Sequence, residues 1–321
     1  MKGVDRLGEM NTSRVAQSVP EFKLSTLDYL RRRYGLSNWL DTLLLNHVER
    51  RGFKRLWFEA KEGRQHALVG SGDGRCAPVA LLHGLGSASV HYSQLVRYLR
   101  PYVKSVVMPD NPGHGFSEQP DGLRGHDEFQ ATINSHLDSL LKEPAYLFGN
   151  SLGGFAAIRY ALRRPEMVKG LVLCSPGGAQ MSEAKLDEFL SRFNLNNYRE
   201  AAEFMEQVFG KRHRLTPLMA WRIKARFNRP LLQYRLNTFR SNELLDAGEL
   251  RRLQVPILLI WGKRDKILPP SSKSFFMENL PKHAQTVEPE NFGHAPFLLH
   301  PRKVGGLIVD FIHGCEWALN V

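Results

Sequence analysis

The chain has 321 residues, of which 42% are hydrophobic and 24% are charged, a balance typical of a folded protein with a substantial core. Its apolar runs are shorter than the roughly 18 residues that a membrane-spanning helix needs, and its three cysteines are too few and too scattered for a disulfide framework or a metal site. We therefore expect a cytoplasmic protein in a reducing compartment, with neither a metal nor another cofactor.

Positive charge is distributed unevenly along the chain. The formal net charge is +12, and residues 211–240 include nine Lys and Arg side chains but no Asp or Glu. We expect these side chains to be solvated on the surface; the alternatives are a peripheral contact with an anionic membrane surface and the binding of an anionic substrate. Nucleic acid is not expected as a partner, because no zinc-finger or RNA-binding motif accompanies the charge.

Residues 1–54 are predicted to form an extension ahead of the main domain. Residues 1–20 are polar, lack the continuous apolar core of a signal peptide and are predicted to be disordered. Residues 22–50 carry Leu and Trp at helical spacing between arginines, which predicts one or two amphipathic helices. We expect these helices to pack against the main domain, with a position on a membrane surface as the alternative.

Short apolar runs alternate with helical patterns in two stretches, residues 55–178 and 254–321. This alternation predicts an α/β fold with a mostly parallel central sheet flanked by helices. The predicted strands cover residues 55–60, 65–70, 78–82, 103–108, 145–148, 170–174, 255–260 and 284–287. The predicted helices cover residues 90–100, 127–141, 152–163, 271–279 and 301–313.

The segment between these stretches, residues 179–253, has no clear strand pattern. Helical patterns at 183–192, 198–208 and 217–226 instead predict an inserted helical cap. Its large apolar side chains are expected to form the core of the cap or, alternatively, to line a pocket for an acyl chain. They are Phe189, Phe193, Phe204, Met205, Phe209, Leu218, Met219, Trp221 and Phe227.

The most informative motif is Gly149-Asn150-Ser151-Leu152-Gly153, which lies between a predicted strand and a predicted helix. This G-x-S-x-G pattern is typical of a nucleophile elbow, in which a sharp turn exposes the serine hydroxyl at the N-terminus of a helix. Strand and helix backbones approach closely in such a turn, so the flanking glycine positions must lack a Cβ. We therefore predict that Ser151 is a nucleophile.

A serine hydroxyl needs a general base, and the base needs an acidic partner that fixes its tautomer. Asp265 follows the predicted strand 255–260, and His294 follows the last predicted strand. Functional groups of open α/β sheets collect at the carboxyl ends of the strands. Because the order serine, acid, histidine also fits this architecture, we predict that His294 is the base and Asp265 its partner.

Attack of a serine on an ester carbonyl places negative charge on oxygen, which backbone N–H groups can stabilise. One donor is expected to be the amide of Leu152, directly after the nucleophile, and the other the amide of Leu85 in the loop His83-Gly84-Leu85-Gly86. His83 is expected to brace this loop by hydrogen bonding. The segment Asp110–Ser117 is expected to shape the rim of the site, with His114 in a structural role.

Together these motifs resemble the α/β-hydrolase superfamily over residues 55–315. Within it, the chain looks most similar to bacterial esterases and lipases and to monoacylglycerol lipases, a likeness supported by Leu171–Gly178, the helical cap and Trp261-Gly262-Lys263. The resemblance implies a serine hydrolase that forms an acyl-enzyme intermediate. It further implies a small-molecule carboxylic ester as substrate and cap helices that shape an acyl pocket.

Three alternatives remain open from the sequence. The same triad supports hydrolysis of a carbon–carbon bond in ring-fission dienones, and it supports acyl transfer to an alcohol or amine instead of water. A non-catalytic scaffold is the third alternative, although such proteins usually lose a triad residue. Dehalogenase and epoxide hydrolase chemistry is disfavoured, because both reactions need a carboxylate in place of Ser151.

Overall fold

An eight-stranded sheet forms the centre of the computed structural model, which describes residues 39–60, 63–118 and 126–318. Its spatial order is β1-β2-β4-β3-β5-β6-β7-β8. Pairing is antiparallel between β1 and β2 and between β2 and β4, and parallel for every other neighbouring pair. The strands are β1 (Lys54–Ala60), β2 (Gly63–Ser71), β3 (Val79–Leu82), β4 (Ser105–Pro109), β5 (Ala145–Ser151), β6 (Val168–Pro176), β7 (Ile257–Ile260) and β8 (Gln285–Val287).

Helices cover the sheet, so the predicted α/β class with a mostly parallel sheet is confirmed. The central strands are continuous apolar runs because both of their faces are buried; all four residues of β3 and all four of β7 are buried. Outside the segment between β6 and β7, the helices are α1 (Trp39–Glu49), α2 (Val96–Leu99), α3 (His126–Leu140), α4 (Leu152–Arg163), α10 (Pro270–Asn279) and α11 (Pro301–Ala318).

Five helices lie between β6 and β7, in the segment for which the sequence predicts a helical cap. They are α5 (Glu183–Ser191), α6 (Tyr198–Phe209), α7 (Thr216–Phe227), α8 (Pro230–Thr238) and α9 (Ala247–Arg251). From Trp39 onwards, the described residues form one compact unit that includes these helices. None of the helices in the described ranges is long and apolar enough to cross a bilayer.

The prediction of one continuous helix over residues 90–100 is wrong. The segment forms a short 3₁₀ turn, Ser89–Tyr92, and then the single turn of α2. The Ser89 amide donates to Asp110 Oδ1 (2.6 Å), and the Tyr92 hydroxyl donates to the carbonyl of Leu82 (2.9 Å). These bonds fasten the start of the segment to the sheet.

The N-terminal helical prediction is tested only from Trp39 onwards. There α1 packs against the main domain, because its Leu45 and Val48 are buried. The remainder of the predicted helices and the disorder predicted for residues 1–20 lie outside the described residues.

The turn from β5 to α4 is the tightest backbone approach near the sheet centre. A Cβ on Gly149 would lie 2.4 Å from the carbonyl oxygen of Gly153, and a Cβ on Gly153 would lie 2.1 Å from that of Leu82. Real side chains do not approach backbone atoms this closely. The two glycines of the motif are therefore required by packing, as the sequence predicts.

Replacing Gly149 with Ala is expected to lower the free energy of unfolding by at least about 2 kcal/mol, because the new methyl overlaps backbone that cannot move aside. Urea unfolding monitored by circular dichroism measures this change. The matched control is Gly306→Ala in the exposed middle of α11, where a Cβ meets nothing within 4 Å; it should raise stability by about 0.5–1 kcal/mol. Equal effects at the two positions would contradict the packing argument.

Candidate active site

Ser151 ends β5 and immediately precedes α4, with backbone angles φ 53° and ψ −121°. A non-glycine residue with positive φ is strained, and such strain persists only where packing enforces it. The side chain lies where two adjoining cavities meet, and both cavities are also lined by Leu85 and Phe193. The turn thus exposes Ser151 to both cavities.

His294 and Asp265 are hydrogen-bonded to each other. His294 Nδ1 lies 2.8 Å from Asp265 Oδ2, and both side chains are nearly buried. The other oxygen, Asp265 Oδ1, accepts from the amides of Ile267 (2.9 Å) and Leu268 (3.2 Å). Burial alone would raise the pKa of Asp265, but the His294 imidazole and the Ile267 amide lower it below its ordinary value.

The main chain of His294 is held from two sides. Its N–H donates to the carbonyl of Val208 in α6 (2.9 Å), and its carbonyl accepts from Asn150 Nδ2 (2.8 Å). Asn150 Nδ2 also donates to the carbonyl of Cys174 (2.9 Å). Asn150, the residue before Ser151, therefore ties the histidine loop to β6. The sequence analysis missed this role, although the residue stands inside the quoted motif.

Ser151 and His294 line the first cavity together, and His294 contacts Asp265 behind it. The fold thus brings to one place three side chains that are separated by as many as 143 positions in the sequence. A serine, a histidine and a carboxylate gathered in this way are the groups from which a nucleophile, its base and an orienting acid can be formed.

The backbone of the His83–Gly86 loop lies directly beside Ser151. A Cβ on Gly84 would sit 3.2 Å from Ser151 Cβ, and Leu85 lines both cavities. In the described part of the chain, neither the Leu85 N–H nor the Leu152 N–H donates to a carbonyl. Both amides are therefore available to an oxygen bound next to Ser151.

His83 braces this loop, and both of its ring nitrogens are hydrogen-bonded within it or to the neighbouring segment. Its Nε2 accepts from the amide of Asn111 (3.0 Å), and its Nδ1 donates to the carbonyl of Gly84 (2.9 Å). Asn111 Nδ2 also donates to the carbonyl of His83 (3.0 Å). The segment Asp110–Ser117 supports the loop in this way and lines neither cavity, so the prediction that it shapes the rim is wrong.

Asp110 holds this support together from a fully buried position. Its carboxylate contacts His66 Nδ1 (2.8 Å) and accepts from the amides of Ser89 (2.6 Å) and Phe116 (3.0 Å). Burial would raise the pKa of Asp110, but the bond to and charge of His66, with a smaller contribution from His83, lower it to about 2. The loop behind the site is therefore fastened by an ionised carboxylate.

The large apolar cap residues that the sequence predicts to be core or pocket residues divide into three groups: cavity-lining, buried and exposed. Phe193, Phe204, Met205 and Met219 line the first cavity, whereas Phe189 and again Phe193 line the second. Phe209 and Phe227 are buried packing residues. Leu218 and Trp221 are exposed by 37% and 46%, so neither belongs to a pocket or to the core.

The basic stretch 211–240 is not uniformly solvated. Arg222 and Arg226 of α7 are buried, and each forms an ion pair with Asp41 of α1. The expectation of surface charge is therefore wrong for these two residues, because a carboxylate from the N-terminal helix compensates their burial.

Within the described ranges, no group of three His, Cys, Asp or Glu side chains is placed to hold a metal ion.

Comparisons with known proteins agree with the fold. The family model described as alpha/beta hydrolase fold matches residues 77–301. A pimeloyl-[acyl-carrier protein] methyl ester esterase of Neisseria meningitidis is 30% identical over 265 residues, covering 74% of this chain and 93% of that protein. A monoacylglycerol lipase of Bos taurus is 26% identical over 255 residues, covering 73% and 74%.

Solved structures share the same fold. The crystal structure of a bacterial membrane phospholipase A has a TM-score of 0.74 and 24% sequence identity. The alignment covers 90% of this chain and 95% of that chain.

Replacing Asp110 with Asn should lower the free energy of unfolding at pH 7 by about 2 kcal/mol through lost ionisation alone. A carboxylate whose pKa falls on folding stabilises the fold above its ordinary pKa of 3.8, and this contribution is lost as the pH falls through about 2. The difference between wild type and variant should therefore narrow by about 1 kcal/mol between pH 7 and pH 3. Urea unfolding at both pH values measures it, with the exposed Asp187→Asn as control. A pH-independent difference would refute an ionised Asp110.

Proposed function

Because this chain belongs to the alpha/beta hydrolase fold family, we propose that it is a serine hydrolase that cleaves carboxylic esters. One observation carries the proposal: His294, which shares a cavity with Ser151, is hydrogen-bonded through Nδ1 to the buried Asp265. The names of the similar proteins, an ester esterase and a monoacylglycerol lipase, support the same class of substrate.

In the first half-reaction, His294 Nε2 accepts the proton of Ser151 Oγ as that oxygen attacks the ester carbonyl. The negative charge that develops on the carbonyl oxygen is stabilised by the N–H groups of Leu85 and Leu152. When the tetrahedral intermediate collapses, His294 gives the proton to the departing alcohol. Ser151 then carries the acyl group as an ester.

In the second half-reaction, water replaces the alcohol. His294 accepts a proton from the water as its oxygen attacks the acyl-enzyme, and it returns the proton to Ser151 Oγ when the carboxylic acid leaves. Asp265 stays ionised throughout, because its pKa is lowered, and it stabilises the imidazolium that forms in both halves.

The second cavity is the proposed site for the acyl chain. Its walls are mostly apolar and include Phe155, Leu186, Phe189 and Phe239. Burying methylene groups there gains about 0.8 kcal/mol each. A series of p-nitrophenyl esters from C2 to C16, measured beside a monoacylglycerol, would therefore show kcat/KM rising with chain length until the cavity is filled.

Replacing Ser151 with Ala is expected to lower ester turnover by roughly three or more orders of magnitude, because the acyl-enzyme cannot form. The midpoint of thermal unfolding should not fall, since the methyl of Ala occupies the place of the hydroxymethyl group. The assay is p-nitrophenyl ester hydrolysis together with labelling by a fluorophosphonate, which reacts only with an activated serine. Ser191→Ala, at an exposed position of α5, is the matched control. Undiminished turnover or labelling of Ser151→Ala would refute the assignment.

We also propose a peripheral contact with anionic lipid surfaces through α7. One side of this helix exposes Leu218 and Trp221, and the other contributes Met219 to the wall of the first cavity. Arg212, just ahead of the helix, has a side chain that is 91% exposed. Exposed aromatic and basic side chains together favour the interface of an anionic bilayer.

Replacing Trp221 with Ser should reduce co-sedimentation with phosphatidylserine-containing vesicles about fivefold at low salt, because the indole no longer inserts at the interface. Trp317→Ser removes the more exposed tryptophan of α11 and serves as the control. Binding of the wild type should weaken as salt is added. Failure of the wild type to sediment with these vesicles would remove the membrane proposal without touching the hydrolase proposal.

A further inference from the structure

The first cavity holds positive charge as well as the reacting groups. Arg222, Arg226 and His91 line it together with Ser151 and His294. The side chains of Arg222 and Arg226 are only 2% and 7% exposed. Buried arginines are rare unless they are paired, so each needs a physical explanation.

The described residues supply only one carboxylate for the two guanidinium groups. Asp41 of α1 pairs with both, through one oxygen each. Burial would raise the pKa of Asp41, but the charge of Arg226, the contact with His91 and, to a smaller extent, the charge of Arg222 hold it well below the ordinary value. His91, which contacts Asp41 and Arg226, does not alter this count, because burial lowers its pKa to about 4 and leaves it neutral at pH 7. The cluster Asp41-Arg222-Arg226-His91 therefore carries a net charge of +1.

Within this cluster, Arg226 makes the contacts that connect different parts of the fold. It links α7 to α1 through Asp41, and its Nη1 donates to the carbonyl of Gly86 in the loop beside Ser151 (2.9 Å). Arg222 adds a second bond to the same carboxylate and no other described contact. Its buried Nε–H has no hydrogen-bond partner among the described residues. An orphaned buried donor costs free energy unless something else satisfies it.

We propose that Arg222 forms an anion subsite, which binds a carboxylate or phosphate group carried by the ester substrate. This inference rests on the proposed hydrolase function and names its substrate class. A carboxylate or phosphate on the substrate would neutralise the surplus positive charge and accept a hydrogen bond from the unused Nε–H of Arg222. The planar guanidinium group suits both anions, because it presents its N–H donors as a fork. Because the same cavity holds Ser151 and His294, such a substrate reaches the subsite and the nucleophile together.

Two matched pairs of esters test the subsite. p-Nitrophenyl hydrogen suberate and p-nitrophenyl octanoate differ by a terminal carboxylate on the acyl side. 1-Oleoylglycerol 3-phosphate and 1-oleoylglycerol differ by a phosphate on the alcohol side. In at least one pair the anionic ester should have the higher kcat/KM, and the preferred pair identifies which group the subsite takes.

Arg222→Met should lower the anionic-to-neutral ratio of kcat/KM roughly tenfold to hundredfold in that pair, because a charged hydrogen bond is lost. Arg199→Met removes an exposed charge of α6 instead and should leave the ratio unchanged. If Arg222→Met does not fold, Arg222→Lys keeps the charge without the fork and should still lower the ratio several-fold. A wild type without preference in either pair, or a ratio that Arg222 variants do not change, would overturn the proposal.

A binding measurement separates this inference from the hydrolase proposal. The anionic ester of at least one pair, titrated calorimetrically into Ser151→Ala, should bind more tightly than its neutral partner, and adding Arg222→Met should abolish the difference. If the wild type hydrolyses none of the four esters but this difference persists, the hydrolase proposal fails and the subsite stands. If it hydrolyses the neutral esters and the difference is absent, only the subsite fails.

Discussion

The contact between backbones at the β5–α4 turn constrains the whole region around Ser151. Gly149 and Gly153 leave no room for a side chain, so the start of α4 lies against the end of β3. The loop that follows β3 is thereby placed beside the serine, with Gly84 next to Ser151 Cβ. One packing constraint thus sets both the conformation of the serine and the position of the nearby amides. Groups fixed by a buried sheet hold their geometry better than groups on a free loop.

Further hydrogen bonds hold the two loops that lie beside Ser151. Asp110 and His83 fix the loop after β3 from behind, while Asn150 fixes the loop of His294 from the side of Ser151. None of these three side chains needs to touch a substrate. They help to fix the positions of the proposed catalytic residues, and the buried charge of Asp110 makes this support sensitive to acid.

Much of the fold was predictable because the central strands are buried on both faces and appear as apolar runs. The turn at Ser151 and the order of Asp265 and His294 followed from local patterns as well. The starts of α8 and α9 carried recognisable signals, a proline at Pro230 and a capping box between Asp246 and Glu249, which the sequence analysis overlooked. The burial of Arg222 was out of reach, because its partner Asp41 lies 181 positions earlier. No local pattern reports such a contact.

The amide of His294 is bonded to Val208, which belongs to α6 rather than to the sheet. The last turn of that helix therefore helps to hold the proposed base in position. A displacement of α6 relative to the sheet would break this hydrogen bond, so the position of the proposed base depends on the cap as well as on the strands.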